Sequence, residues 1–461
     1  MQKMKFTWPD KSLPSETAFS IVKKLRKAGF ETYIAGGAVR DALLKRKISD
    51  IDIATSATPA QVKKLFAKTI PTGEKHGTMT VRLGKMSFEI TTFRAESAYE
   101  GARRPKAVSF ITDPQKDAKR RDFTLNALFY DPNTSEIIDF VDGITDLEHA
   151  RIRTVGSASA RLREDALRLM RAVRFATTLN MEIERETRKA IAKNSVRIKK
   201  ISAERVKTEL DKIILSDRPS AGVGLLDAVM LLKQILPELK ETQGVAQPKN
   251  HHSEGDVYTH SLFALDQVNE DFDLATRYAV LFHDLGKTKT RAIKNGKTTF
   301  YNHPDVGAEL AAKICKRLRF SKAETDKIVW LVRYHMVPND FVGMKLSTRR
   351  KWALNPYFRS LLLVHWADAA ASLGLSGRGD TNPVGYREGY KILKQIEEQP
   401  SLAIPILSGD TVMKILKIKP SALVGKVLKQ LEEKKLAGKI KTKKSAQEYL
   451  KKNKKQLLNS K

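Results

Sequence analysis

Asp50 and Asp52 stand one residue apart in the stretch SDIDIAT. Read as a strand, that spacing sends both carboxylates to one face. Two anions so close repel each other unless a cation lies between them. A divalent cation with oxygen ligands does this, Mg²⁺ first among them, and it commonly bridges carboxylates to substrate phosphates. Just upstream, Gly36 and Gly37 would let backbone N–H groups approach a phosphate. The helix that follows adds the positive end of its dipole, and Arg40 adds a fixed charge. This is equipment for transfer at phosphorus.

A second pair, Asp165 and Arg168, lies in EDALR. Three apart on a helix, they would be neighbours on one face, and an ion pair there is worth a few tenths of a kcal/mol. The same pair could instead face a nucleobase. A carboxylate accepts from the exocyclic amine of C or A, and a guanidinium donates to the adjacent ring nitrogen. G and U invert that order. Base-edge contacts of this kind discriminate by roughly 1–3 kcal/mol each. Arg171 and Arg174 continue the spacing of three. Each step lags by about 60°, so Arg174 is expected roughly opposite Asp165 around the helix, with Arg168 and Arg171 better placed to share one nucleotide site.

A third set is His260, the His283–Asp284 pair and Asp368, with His303 and His335 between them. Imidazole and carboxylate suit a divalent metal with positions left open for water. A lone histidine is more often a core or surface residue, so the ordered set carries this reading.

These residues need elements to hold them. The chain has 461 residues, 41% hydrophobic and 30% charged, enough for several cored domains. Residues 1–145 mix helix and strand signals. Ala18, Ile21, Val22 and Leu25 form one face of a helix, and TYIA reads as a strand ending at glycines. TPAQVKKLF opens a helix with Thr58 and Pro59, and GTMTVRL with MSFEITTFR reads as a hairpin around Gly84 and Lys85. From 146 to 238 the chain reads as helical with no strand, and from 243 to 374 as helical again, with most of the nine histidines. Pro400 to Pro405 reads as a linker before a lysine-dense helical tail.

Lys plus Arg number 84 against 52 Asp plus Glu, a formal charge of +32. Such a field draws in polyanions, nucleic acid foremost; acidic membrane is the weaker rival, since no basic amphipathic anchor stands out. The single cysteine, Cys315, allows no internal disulfide and no cysteine-based zinc site, which suits a reducing cytoplasm. The N-terminus has no apolar signal core, and no apolar run would span a bilayer.

The order GGAVRD, then DIDIAT, resembles the nucleotidyltransferase superfamily that includes DNA polymerase β. More narrowly, it is similar to the bacterial class II tRNA nucleotidyltransferases and poly(A) polymerases. KRRDFTLNALFYD (residues 119–131), REDALRLMRAVRF (163–175) and ISAERVKTEL (201–210) resemble that family's later blocks in order. The resemblance implies an α+β fold: a polymerase-β-like head with a small mixed sheet (1–145), an all-α neck and body binding RNA and nucleotide (146–240), an all-α HD domain (241–375) and a helical basic tail (376–461). It implies catalysis and Mg²⁺ binding at Asp50 and Asp52. Nucleotide contacts fall to Gly37, Arg40, Arg121, Asp122, Asn126, Asp165, Arg168, Arg171 and Arg174. Within these, Arg121 binds triphosphate, Asn126 holds sugar or backbone, Asp122 orients the arginines, and Asp165 with Arg168 acts as a protein template.

The histidine set resembles the HD phosphohydrolases, implying a second divalent ion (Mg²⁺, Mn²⁺ or Ni²⁺) on His260, His283, Asp284 and Asp368. Its natural reactions would be phosphate trimming or 2′,3′-cyclic phosphate opening at an RNA end. PTGEKHGTMTVRLGKMSFEITTFR and LSGDTVMKILKIKPSALVGKVL are similar to the tRNA enzymes rather than to the polymerases. The function implied is addition of C, C and A to tRNA 3′ ends from CTP and ATP, in the cytoplasm, without a membrane. FRAESAYEGARRPKAV, near a mobile loop expected at 93–106, argues against a CC-only enzyme. An A-adding enzyme, a poly(A) polymerase, an HD hydrolase with a vestigial head and a silent RNA-binding protein are the alternatives. The sequence does not set the number of subunits.

Overall fold

The computed structural model describes residues 1–96, 99–100, 104–105, 108–248, 252–373 and 377–459. Much of the loop expected at 93–106 lies outside them. The chain divides into two compact units, Met1–Pro237 and Glu238–Lys461.

The first unit opens with a mixed sheet of eight strands. Their order is Gln2–Lys5, Glu136–Asp139, Phe129–Asp131, Thr32–Ala35, Asp52–Thr55, Met86–Thr92, Thr78–Leu83 and Thr69–Gly73. All neighbours are antiparallel except Asp52–Thr55 with Met86–Thr92, which run parallel. Thr32–Ala35 is buried along its length, as a central strand requires. The helix Leu13–Lys27 covers the sheet with Ala18, Ile21, Val22 and Leu25, the face expected from its periodicity.

Four strands of this sheet escape the sequence reading. Gln2–Lys5 and Thr69–Gly73 are edge strands without clear alternation, set by their partners Glu136–Asp139 and Thr78–Leu83. Phe129–Asp131 and Glu136–Asp139 form a hairpin. The expected hairpin at Gly84 is present, with that glycine at φ +60°.

After Asp139 the described residues of the first unit are helical, with one exception. Arg151–Ile152 pairs in parallel with Glu182–Ile183, where no strand was expected. The helix Leu167–Leu179 sinks Leu169, Met170 and Val173, all fully buried. It packs on the helix Ala203–Ile214.

In the second unit, helices Val257–Asp266, Leu274–Phe282, His303–Arg317, Lys322–Tyr334 and Phe358–Ala371 surround the histidines. A hairpin, Ala292–Lys294 with Lys297–Thr299, interrupts them. Its Asn295–Gly296 turn has φ +51° and +72°, the left-handed pair that an Asn-Gly turn provides. That dipeptide was the missed signal. Pro400–Ala403, expected as linker, is a short 3₁₀ turn. The last helices close over their own apolar cluster, including Leu407, Val412, Leu416, Leu431 and Leu450. Cys315 is buried. Among the described residues no helix is long and apolar enough to cross a membrane.

Candidate active site

A cleft of about 860 Å³ opens in the first unit. Asp50, Asp52, Gly37, Arg40, Arg121, Asp122, Asn126, Asp165, Arg168, Arg171 and Arg174 all line it, so one cavity gathers every residue singled out in this half of the chain. The strand begins at Asp52, not before it, and Asp50 sits in the exposed approach. Alternation along a strand therefore does not describe the pair. Asp50 reaches the same cleft from a loop, and its charge acts on Asp52.

Ile53 lies opposite Ile90 in the parallel pairing, which sets Asp52 beside Glu89 on the same face. Glu89 is a third carboxylate in the cleft. Sequence reasoning missed it, since only the register reveals it. Although Asp52 opens into the cleft, the surrounding protein strips water from it, and Glu89 and Asp50 add negative charge. These push its pKa up against the pull of Arg121. A folded carboxylate with a raised pKa costs stability once ionised, and a bound cation would remove that cost. This fits the residues to a divalent ion. Asp52→Asn is therefore expected to raise the metal-free melting temperature at neutral pH, by no more than about 2 °C because the cleft admits water. The difference should close as pH falls through the raised pKa, where wild-type Asp52 is itself neutral. Calorimetry from pH 4 to 8 checks this.

Gly36 begins the short helix Gly37–Leu43 at φ +73°. A Cβ there would meet Arg121 Nη1 at 3.1 Å, so both its backbone and its surroundings require glycine. The arginines around it are held by carboxylates. Arg121 pairs with the buried Asp117 at 3.1 Å, and its Nη1 donates to the Asn126 carbonyl at 3.1 Å. Arg40 donates to Asn126 Oδ1 at 2.6 Å and to Asp41. Arg171 pairs with Asp122 at 2.6 Å. Burial opposes the charge on Asp122, but Arg171 outweighs it and brings the pKa down to about 2. The guanidiniums of Arg40, Arg171 and Arg174 crowd one ring, Phe175, at 5.2, 5.1 and 3.9 Å from its centroid. Nine cationic and six anionic side chains line the cleft, the imbalance a polyanionic ligand would complete.

Asp165 corrects a further expectation. It is not on a helix with Arg168. It ends the helix Ala158–Glu164 in extended conformation, φ −133° and ψ 109°, before the next helix starts at Leu167. The break also voids the angular count from Asp165. Arg174 is not opposite but lines the same cleft, paired with Glu209 at 2.7 Å. Burial draws its pKa down to about 10. Arg168 is held by Glu164 at 2.6 Å. Asp165 accepts from Leu167 N–H at 3.0 Å and from Arg205 at 3.2 Å. Arg205, Glu209 and Lys212 come from Ala203–Ile214, and the sequence offered no signal for their contacts.

The second unit holds the other set. His260, His283 and Asp368 offer one ligand atom each within 4.8 Å of one another, and Asp284, His303 and His335 do the same. Nδ1 of His283, His303 and His335 faces the carbonyls of Val280, Phe300 and Val332 at 2.7, 2.9 and 2.7 Å. A carbonyl only accepts, so these nitrogens carry the proton and leave Nε2 bare. Nε2 of His283 nonetheless faces Nε2 of His260 at 3.3 Å, and Nε2 of His303 faces that of His335 at 3.2 Å. In the His303–His335 pair two bare nitrogens face each other and repel, so this donor set suits a cation. Burial pushes the pKa of His335 down to about 3, keeping it a neutral ligand. Burial also disfavours charge on His260, but its bonds to Asp368 and Glu254 raise it to about 9. Lys287 reaches Asp284 at 2.7 Å. Glu254 and Lys287 were not anticipated. A Cβ on Gly286 would strike the His303 carbonyl at 2.0 Å, so glycine lets the turn after His283 and Asp284 meet the start of the helix His303–Arg317 at the cluster.

Residues 32–153 match the family model of the poly A polymerase head domain. Residues 180–242 match that of a probable RNA- and SrmB-binding site of polymerase A, and 251–371 that of the HD domain. A CCA-adding enzyme of Lactobacillus delbrueckii is 52% identical over 198 residues, 43% of this chain and 50% of that protein. One of Streptococcus suis is 49% identical over 208 residues, 45% of this chain and 51% of its own length. The chain thus spans about half the length of the curated relatives it matches. The structure of the Bacillus stearothermophilus CCA-adding enzyme with CTP superposes with a TM-score of 0.69 and 24% identity, over 97% of this chain and 100% of that one. The Thermotoga maritima enzyme complexed with tRNA gives 0.61 and 18%, over 98% and 99%. About two hundred residues of the chain are thus similar to curated CCA-adding enzymes, its head, RNA-binding and HD stretches match three family models in order, and nearly all of it shares the fold of these solved structures.

Proposed function

We propose that this protein adds C, C and A in turn to tRNA 3′ ends, from CTP and ATP and with no nucleic-acid template. The carrying observation is that Asp165 and Arg168 line the same cavity as Asp50 and Asp52. The names of its relatives support the same reading. On this reading residues 1–145 are the catalytic head, 146–240 the neck and body, 241–375 the HD domain and 376–461 a basic tail. The work belongs in the cytoplasm.

Arg40, Arg121 and Arg171 take the triphosphate, their rotamers already fixed by Asp41, Asn126, Asp117 and Asp122. Asp165 and Arg168 select the base. Asp50 and Asp52 would hold Mg²⁺, which supplies positive charge for the departing pyrophosphate and acidifies the attacking hydroxyl. The tRNA 3′-OH attacks the α-phosphorus, and pyrophosphate leaves. The test offers tRNAs ending before CCA, after C and after CC, with CTP, ATP or both, and reads product lengths. Addition to all three supports the reading. Addition only to the CC-ended tRNA would make it an A-adding enzyme instead.

The HD set would hold two divalent ions, Asp284 standing between the two triads. Metal analysis of the dialysed protein is expected to find about two ions per chain. His303→Ala should remove one of them and leave nucleotide addition unchanged.

A further inference from the structure

The two template residues are each fixed by a different neighbour. Arg168 lies 90% or more buried against Glu164. Asp165 is less enclosed, and a carboxylate with a free terminal torsion could present either oxygen, or neither, to a base. Its Oδ1 is tied to the Leu167 N–H, one turn-residue away. Its Oδ2 is tied to Nη2 of Arg205, forty residues on, at 3.2 Å. The local bond alone leaves the carboxylate plane free to turn about that oxygen. The long-range one removes the turn.

Arg205 belongs to Ala203–Ile214, whose Glu209 also grips Arg174 at 2.7 Å and Arg171 at 3.9 Å. One helix thus braces both ends of the base-reading row. Nη1 of Arg205 is buried without a hydrogen-bond partner among the described residues, and the side chain lines the cleft. The guanidinium is therefore not satisfied by folding alone, as a purely structural arginine would be.

We propose that Arg205 is a specificity-determining positioning residue: it fixes the Asp165 carboxylate so that it meets the exocyclic amine of C or A and excludes U and G. This rests on the template reading above. Discrimination by a base edge depends on the acceptor being unable to move aside. An unbraced carboxylate swings away from the O4 of U or the O6 of G, and the mismatch is then no longer repelled.

The test uses the full chain with Mg²⁺ and a tRNA lacking its last three nucleotides. Steady-state constants are measured for CTP, ATP, UTP and GTP with wild type, Arg205→Met, Arg205→Lys, Asp165→Asn and the Asp165→Asn/Arg205→Met double variant. Arg205→Met should raise KM for CTP about 10-fold with kcat little changed, and lower the CTP-to-UTP ratio of kcat/KM about 10-fold. Arg205→Lys should restore part of the ratio. In the double variant the second change should add nothing to the first, since Arg205 acts through Asp165. Equal losses for all four nucleotides, or full additivity in the double variant, would overturn the proposal. If the wild type itself adds no C, the template reading fails and not this one alone.

Discussion

Asp52→Ala is expected to lower kcat for nucleotide addition by about 10³-fold or more, while tRNA affinity stays within about twofold. The carboxylate sits at the start of a central strand, beside Glu89 and within the field of Asp50. Its raised pKa marks a charge the protein does not compensate by itself. Arg121, the cation that pulls against that rise, is engaged by Asp117. A divalent ion there is worth several kcal/mol to a developing phosphate charge, hence the size of the loss. The tRNA would be held by basic residues elsewhere, so binding should survive. Rapid-quench single turnovers and a filter-binding titration separate the two. Asp50→Ala should follow the same pattern. Retention of near-normal rate in both would end the metal argument.

The second large effect concerns the choice of base. Asp165→Asn is expected to reduce the preference for CTP over UTP by about 10- to 100-fold, since the amide can donate to the O4 that a carboxylate repels. The rate with CTP should fall less than the ratio does. Competition between CTP and UTP on one tRNA, read by product sequencing, measures it directly. A merely structural Asp165 would weaken both nucleotides alike. Its extended backbone between two helices, rather than a place on either, is what lets it point into the cleft.

The candidate residues that line the cleft could be picked out in the sequence; their mutual placement was less legible. The helix Leu13–Lys27 and the hairpin at Gly84 carried strong local signals and formed as expected. Gln2–Lys5 did not, because an edge strand of four residues is defined by its partner Glu136–Asp139. The angular argument for Arg174 failed at a helix break that no residue between Glu164 and Leu167 announces; neither glycine nor proline is there. Glu89 and Arg205 were invisible for a related reason. One depends on strand register and the other on a contact across forty residues. The order of His260, His283, Asp284 and Asp368 along the chain, by contrast, was enough to expect a cluster, and the structure gathers their side chains with His303 and His335. Glu254, which orders His260, was missed because a single glutamate near a helix start reads as solvent-facing.

The central claim is that protein side chains, not a nucleic-acid strand, dictate what is added. The most direct measurement is 3′-end sequencing of a tRNA lacking its terminal three nucleotides after incubation with all four nucleoside triphosphates and Mg²⁺. The account predicts C, C, A and then a stop. Comparable entry of U or G at the first positions, or an unbroken run of A, would contradict it.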